Sequence, residues 1–336
     1  MKRVVTLLAL LALLAGCSTR EPPDPAYYFY DKGKLPTADI TLNISGLGPC
    51  TDNPDRSLHL DSSKPVHVLV HGCFGSSGQF RGLAQVLAFH GQQTACFTYD
   101  DRNELTQSAT ELRRAVDQLA EQTHTPKITV IGHSMGALVS RKSLTELPRA
   151  PQPHRLTDLR LVTISGPFDG IESAKTCGRT WLGWATVGLI PVSCYLFTGP
   201  KWADITYSST FIREPGALVP QVGSYLKIDT DERNTCRRKE GERCLEDDDV
   251  FSIAEQRNPL VEGDARAHRI EVRAGHVEIV GDKRVAPVKL IALLQEQGVI
   301  NPTAPDRRAA FNLLLAQVYQ DSTFLKQSDL KSNSAR

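Results

Sequence analysis

The feature that most constrains this chain is a five-residue turn, Gly132-His133-Ser134-Met135-Gly136, set between two different hydrophobic periods. Before it, Lys127-Ile128-Thr129-Val130-Ile131 is a β-branched run of strand length. After it, Met135 to Leu147 carries the three-and-four spacing of a helix. A chain passing from a buried strand straight into a helix must bend sharply at the serine. The glycines two positions to either side leave room for that bend and for the helix to pass close by. The bend lifts the serine hydroxyl clear of the sheet, and the helix start aims backbone N–H groups at any negative charge that develops there.

The same alternation of strand and helix runs through the chain. Val66-His67-Val68-Leu69-Val70 reads as a buried strand that opens into a glycine-bearing loop through Gly78. Phe80 to Phe89 has helical spacing, and Ala95 to Tyr99 is the next strand. Glu104 to Glu121 is an amphipathic helix carrying Leu105, Ala109, Leu112, Val116 and Leu119 on one face. Strand character returns at Leu159 to Ile164, Tyr225 to Ile228 and Arg269 to Val272; Val285 to Gln297 and Ala309 to Tyr319 read as closing helices. The pattern predicts an α/β fold with a mostly parallel sheet covered by helices on both faces. Trp181 to Phe197 is strongly apolar, but Pro191, Thr186 and Ser193 interrupt it. It reads as part of an inserted lid, about 171–220, in preference to a membrane span.

Val68-Leu69-Val70-His71-Gly72 and Ile131-Gly132-His133-Ser134-Met135-Gly136 resemble the α/β-hydrolase lipases and esterases, and the resemblance covers Val66 to roughly Pro287. A second glycine usual in those proteins is Ala137 here. The resemblance implies a nucleophilic serine, a histidine base and a carboxylate, in the chain order Ser, acid, His. Ser134 is then the nucleophile. Of the nine histidines, His71 and His133 lie within the motifs, and His59, His67, His90, His124 and His154 border the first-half strands. That leaves His268 and His276. Gly275-His276-Val277-Glu278-Ile279 resembles the family's histidine loop, which makes His276 the expected base and His268 a surface residue. Glu246 to Ser252 resembles the acid loop. Matching its apolar pair to Val250-Phe251 puts Asp248 in the acid's place, with Asp249, Asp229 and Asp231 as rivals. The oxyanion donors implied are the backbone N–H groups of Met135 and Cys73. Cys73 to Gly78 lacks the lysine of a phosphate-binding loop, and the acidic cluster lacks the ligand spacing of a calcium loop. No cofactor or metal is implied. Ser165 to Gly170 resembles the segment that leads into the lid, and the apolar stretch beyond it suggests an acyl or otherwise greasy substrate.

The N-terminus reads as targeting. Lys2 and Arg3 precede the apolar Val4 to Ala15, and Leu14-Ala15-Gly16-Cys17 resembles the lipobox of bacterial lipoproteins. That resemblance implies a signal peptide over 1–16 and a lipid on Cys17. A proline-bearing tether follows over 17–38, then the domain that resembles the α/β-hydrolases over 39–300 and a C-terminal helix and tail over 301–336. Ser18, in place of a retention aspartate, leans toward the outer membrane, facing the periplasm. An oxidising compartment permits disulfides among the other cysteines. Cys236 with Cys244 and Cys177 with Cys194 would close short loops, and Cys73 is open to pairing with Cys50 or Cys96.

Lys and Arg number 39 against 38 Asp and Glu, for a net charge of +1, so no basic surplus points to nucleic acid. The expected partners are an ester or lipid substrate and the membrane reached through Cys17; oligomeric state is left open. Taken together, the sequence favours a serine hydrolase of carboxylic esters. An acyltransferase or thioesterase would use the same groups, and a non-catalytic envelope lipoprotein would keep the fold as a binding scaffold.

Overall fold

Strands buried on both faces need side chains that tolerate the interior at every position, and the middle of this chain supplies them. The structure, a computed structural model, describes residues 35–73, 75–146, 157–171, 201–282 and 284–320. Its strands in chain order are β1 (Ile40–Leu42), β2 (Leu47–Gly48), β3 (Leu58–Leu60), β4 (Val66–Val70), β5 (Gln93–Phe97) and β6 (Lys127–His133). They continue with β7 (Asp158–Ile164), β8 (Val222–Asp231), β9 (Cys236–Glu240), β10 (Arg243–Asp247) and β11 (Ala267–Arg273). The main helices are α1 (Arg81–Phe89), α2 (Leu105–Gln122) and α3 (Met135–Ser143), then the short α4 (Lys201–Asp204), α5 (Thr210–Arg213), α6 (Ile253–Gln256) and α7 (Pro259–Glu262). Two more, α8 (Val288–Glu296) and α9 (Arg308–Val318), close the chain.

Seven strands form one sheet in the order β11-β8-β7-β6-β4-β5-β2, parallel throughout except for β2, which runs antiparallel to β5. Along β4 the side chains alternate. Val66, Val68 and Val70 join a core with Leu105, Leu112 and Leu119 of α2, whereas Leu69 joins a second core with Leu83 and Leu87 of α1. This two-sided burial is the mark of a doubly covered parallel sheet. Phe311, Leu314 and Leu315 of α9 belong to the second core, so that core extends past residue 300. Phe311 lies 5.2 Å from the ring of Phe89, and the Arg307 guanidinium caps that ring at 3.8 Å.

Helix α3 is shorter than its periodicity suggests. It stops at Ser143, and Thr145 forms a β-bridge with Leu218 while its carbonyl accepts a hydrogen bond from Arg113 at 2.8 Å. Of the region read as a lid, residues 201–219 pack on the core through Phe211, Ile212, Leu218 and Val219. The apolar stretch at 181–197, the pairing of Cys177 with Cys194, and Cys17 with its leader and the first part of its tether all lie outside the described residues. Among the described residues, no helix is long and apolar enough to cross a membrane.

Candidate active site

Ser134 stands between the last residue of β6 and the first of α3, with φ 57° and ψ −128°. A left-handed φ costs a residue with a Cβ roughly 1–2 kcal/mol, so the surroundings must enforce it. The serine N–H donates to the Ile164 carbonyl of β7 at 2.9 Å, and its own carbonyl accepts from the Ala137 N–H at 2.9 Å. A Cβ on Gly136 would lie 2.3 Å from the His71 carbonyl oxygen, and one on Gly132 would lie 2.3 Å from that of Gly136. Only glycines let α3 settle this closely on the ends of β4 and β6, and that close fit drives the bend.

The loop after β4 runs along the other side of the serine. A Cβ on Gly72 would come within 2.8 Å of Ser134 Cβ and 3.3 Å of its Oγ, so the backbone leading to Cys73 passes directly beside the hydroxyl. His71 fixes this loop. Its ring stacks on Tyr99 at 4.6 Å and its Nδ1–H donates to the Gly72 carbonyl at 2.9 Å, while the Tyr99 hydroxyl donates to the His71 carbonyl at 2.8 Å. The disulfide in this region joins Cys50 to Cys96, so neither is available to Cys73. The pairing of Cys236 with Cys244 is present and closes the β9–β10 hairpin.

His276 follows β11 and reaches back to the turn. Its ring lies 4.7 Å from that of His133, the residue before the serine, and meets Phe251 edge-on at 4.8 Å. His133 donates its Nε2–H to the His276 carbonyl at 2.9 Å, and burial holds its pKa well below the usual imidazole range. Neutral His133 thus packs beneath His276 without adding a charge. His276 Nδ1 faces Glu232 Oε1 at 2.9 Å, and the Glu232 side chain is fully buried. The same Oε1 accepts from the Thr230 hydroxyl at 2.7 Å, and Oε2 accepts from the N–H groups of Val250 at 2.8 Å and Phe251 at 2.7 Å. Four donors fill the acceptor sites of one carboxylate. They also fix the imidazole tautomer, with the proton on Nδ1 and the lone pair on Nε2. Ser134 Oγ and His276 Nε2 are not hydrogen-bonded to each other; such pairs commonly close only around substrate.

Glu232, not Asp248, therefore holds the histidine, which corrects the acid expected from sequence. The Asp248 carboxylate instead accepts from the backbone N–H groups of Val277 at 3.0 Å and Glu278 at 2.9 Å, and its carbonyl accepts from the His276 N–H at 2.9 Å. Arg237 pairs with it at 3.3 Å, and burial raises its pKa. It anchors the backbone of the histidine loop. The rivals are engaged elsewhere. Asp249 accepts from the Asn234 N–H at 3.1 Å, and Asp229 pairs with Lys227 and with Arg269. Asp231 pairs with Arg233 and Arg273, and His268 is exposed. Glu232 is not evident in the sequence because of where its strand ends. It is the first residue past β8, which runs three residues beyond the apolar stretch ending at Ile228.

Residues 59–164 match the profile of a family described as "Alpha/beta hydrolase of unknown function (DUF900)". No relative among curated proteins matches the sequence. Among solved structures, the mature Bacillus licheniformis lipase BlEst2 superposes with a TM-score of 0.50 at 15% identity, covering 77% of this chain and 97% of that one. Its propeptide form gives 0.52 at 14% identity, covering 78% of this chain and 54% of that one. The chain has the α/β-hydrolase fold. In the α/β-hydrolase fold of this protein, the ends of β6, β8 and β11 deliver Ser134, Glu232 and the His276 loop to one edge of the sheet, as parallel strands place ligand sites at their carboxyl ends. Among the described residues, no group of three His, Cys, Asp or Glu side chains converges as metal ligands would.

Proposed function

We propose that this protein is a serine hydrolase of carboxylic esters, with Ser134 as nucleophile, His276 as general base and Glu232 as the carboxylate that orients the base. The observation that carries this reading is the short contact between His276 Nδ1 and buried Glu232, at the mouth of a strained Ser134 turn. His276 Nε2 takes the proton as Ser134 Oγ attacks the ester carbonyl, and returns it to the leaving alcohol. Glu232 stabilises the imidazolium without itself taking a proton. The backbone N–H groups of Met135 and Cys73 receive the oxyanion, each worth about 3–4 kcal/mol of transition-state stabilisation by analogy with measured oxyanion donors. Water then repeats the sequence on the acyl-enzyme. An apolar acyl group suits the greasy segment beyond Ile171, and a lipid on Cys17 would hold the enzyme at the envelope, in the outer membrane facing the periplasm.

Labelling with a fluorophosphonate probe tests the reading, together with hydrolysis of p-nitrophenyl esters of increasing chain length. Wild-type protein should label at one site and hydrolyse the esters, and Ser134→Ala should do neither. Absence of both from folded wild-type protein would contradict the proposal and favour a binding scaffold.

A further inference from the structure

Glu232 is held from a second direction by a chain of buried hydroxyls that the triad chemistry does not require. Ser165, the first residue after β7, has φ 49°, a left-handed conformation rare for a residue bearing a Cβ. Its N–H donates to the Ile228 carbonyl at 2.9 Å, and this turn brings its Oγ within 2.7 Å of Thr230 Oγ1. Both side chains are completely buried. Thr230 Oγ1 in turn lies 2.7 Å from Glu232 Oε1, the oxygen that His276 faces.

Counting protons gives this chain a direction. A hydroxyl has one proton to donate, and Thr230 directs its proton to the carboxylate at 2.7 Å, in preference to the Gln256 amide oxygen at 3.3 Å. Thr230 Oγ1 is then the acceptor toward Ser165, so the Ser165 hydroxyl is the donor. Gln256 leaves Thr230 little freedom to turn away: its amide oxygen accepts the Thr230 N–H at 2.8 Å and its amide nitrogen donates to the Thr230 carbonyl at 2.8 Å. Gln256 is itself completely buried.

From this geometry we infer that Ser165 and Thr230 form a directed hydroxyl relay that tunes Glu232, and through it the basicity of His276, with Gln256 holding the relay in place. All three are completely buried and act through Glu232, so they are positioning residues. The inference rests on the triad proposed above. Donors in series polarise one another and draw charge from Oε1. Without them, more negative charge faces the imidazole, the imidazolium is held more tightly, and less neutral base is present at neutral pH. Among the described residues, the charged and titratable groups facing His276 are Glu232, His133, and Asp248 with its partner Arg237.

The test substitutes Thr230→Val, which keeps the shape and removes the hydroxyl, and Thr230→Ser, which keeps the hydroxyl. His276 is followed by NMR titration of ring-labelled histidine, alongside the pH profile of ester hydrolysis. In Thr230→Val, His276 should titrate at higher pH than in wild type and the acid limb of kcat/KM should move the same way. At neutral pH kcat should fall severalfold, with about tenfold as the ceiling set by the worth of one hydrogen bond to a charged group, and KM should be unchanged. Thr230→Ser should restore all of these, and Ser165→Ala should give a smaller shift of the same sign. An unmoved His276 titration in Thr230→Val overturns the relay whatever the ester assays show. So does a Thr230→Ser variant that behaves like the valine. A shifted titration in a protein that hydrolyses nothing keeps the relay and sinks the esterase reading instead.

Discussion

Among individual residues, burial decides which ionisable groups stay silent and which are available for chemistry. His67 illustrates the silent kind. It lies on β4 facing the second core, donates its Nε2–H to the Val299 carbonyl at 3.2 Å, and burial lowers its pKa from 6.5 to about 4. The unfolded chain takes up this proton near 6.5 and the folded one only near 4, so folding stability falls as pH drops through that window. At ~1.4 kcal/mol per unit, the loss is on the order of 3 kcal/mol for this residue. Buried His133 pushes in the same direction. Urea unfolding at a series of pH values should therefore show a steep decline below neutrality that His67→Gln makes shallower. Identical slopes in the two proteins would refute that assignment. The bend at Ser134 is legible in the sequence because local turn chemistry marks it. The carboxylate that meets the His276 ring is not, since its placement depends on where a strand ends.

For secondary-structure elements, that strand end is the instructive case. β4 and β6 read cleanly because β4 is apolar at four of its five positions and Ile128 to Ile131 of β6 are all β-branched. β8 carries Lys227, Asp229 and Asp231 among its apolar residues, and these break the hydrophobic pattern long before the strand stops. The first two charges are neutralised inside the fold: Lys227 pairs with Asp229 and with Glu262, and Arg269 pairs with Asp229. Such long-range pairing leaves no trace in a period, so the strand reads short and Glu232 is passed over. The one-turn helix α6, too short to be stable alone, depends on its cap. Ser252 Oγ accepts from the Glu255 N–H at 3.3 Å, and the Glu255 carboxylate accepts from the Ser252 N–H at 2.8 Å. Ser252→Ala should cost ~1 kcal/mol and lower the melting temperature by about 2–4 °C. A calorimetric scan showing no change would mean that Gln256 alone holds this turn in place.

Across the whole molecule, the fold gathers residues 134, 232 and 276 from three separate strand ends. The strand order β11-β8-β7-β6 places the three carriers on one side of the sheet, and parallel pairing sends all their carboxyl ends to the same edge. The two-sided core is legible from the alternation of strand and helix. Closure of the site is not, because it joins loops far apart in the chain. The buried carboxylates Glu232 and Asp248 both hold the His276 loop, Glu232 at the His276 ring and Asp248 at the backbone N–H groups of Val277 and Glu278 that follow it. Steady-state hydrolysis by Glu232→Gln and Asp248→Asn, each confirmed folded by thermal melting, separates these roles. Loss of the orienting carboxylate should lower kcat by ~10³–10⁴ in Glu232→Gln, whereas Asp248→Asn, loosening only the loop, should lose about tenfold. Near wild-type turnover in Glu232→Gln with an inactive Asp248→Asn would contradict the account.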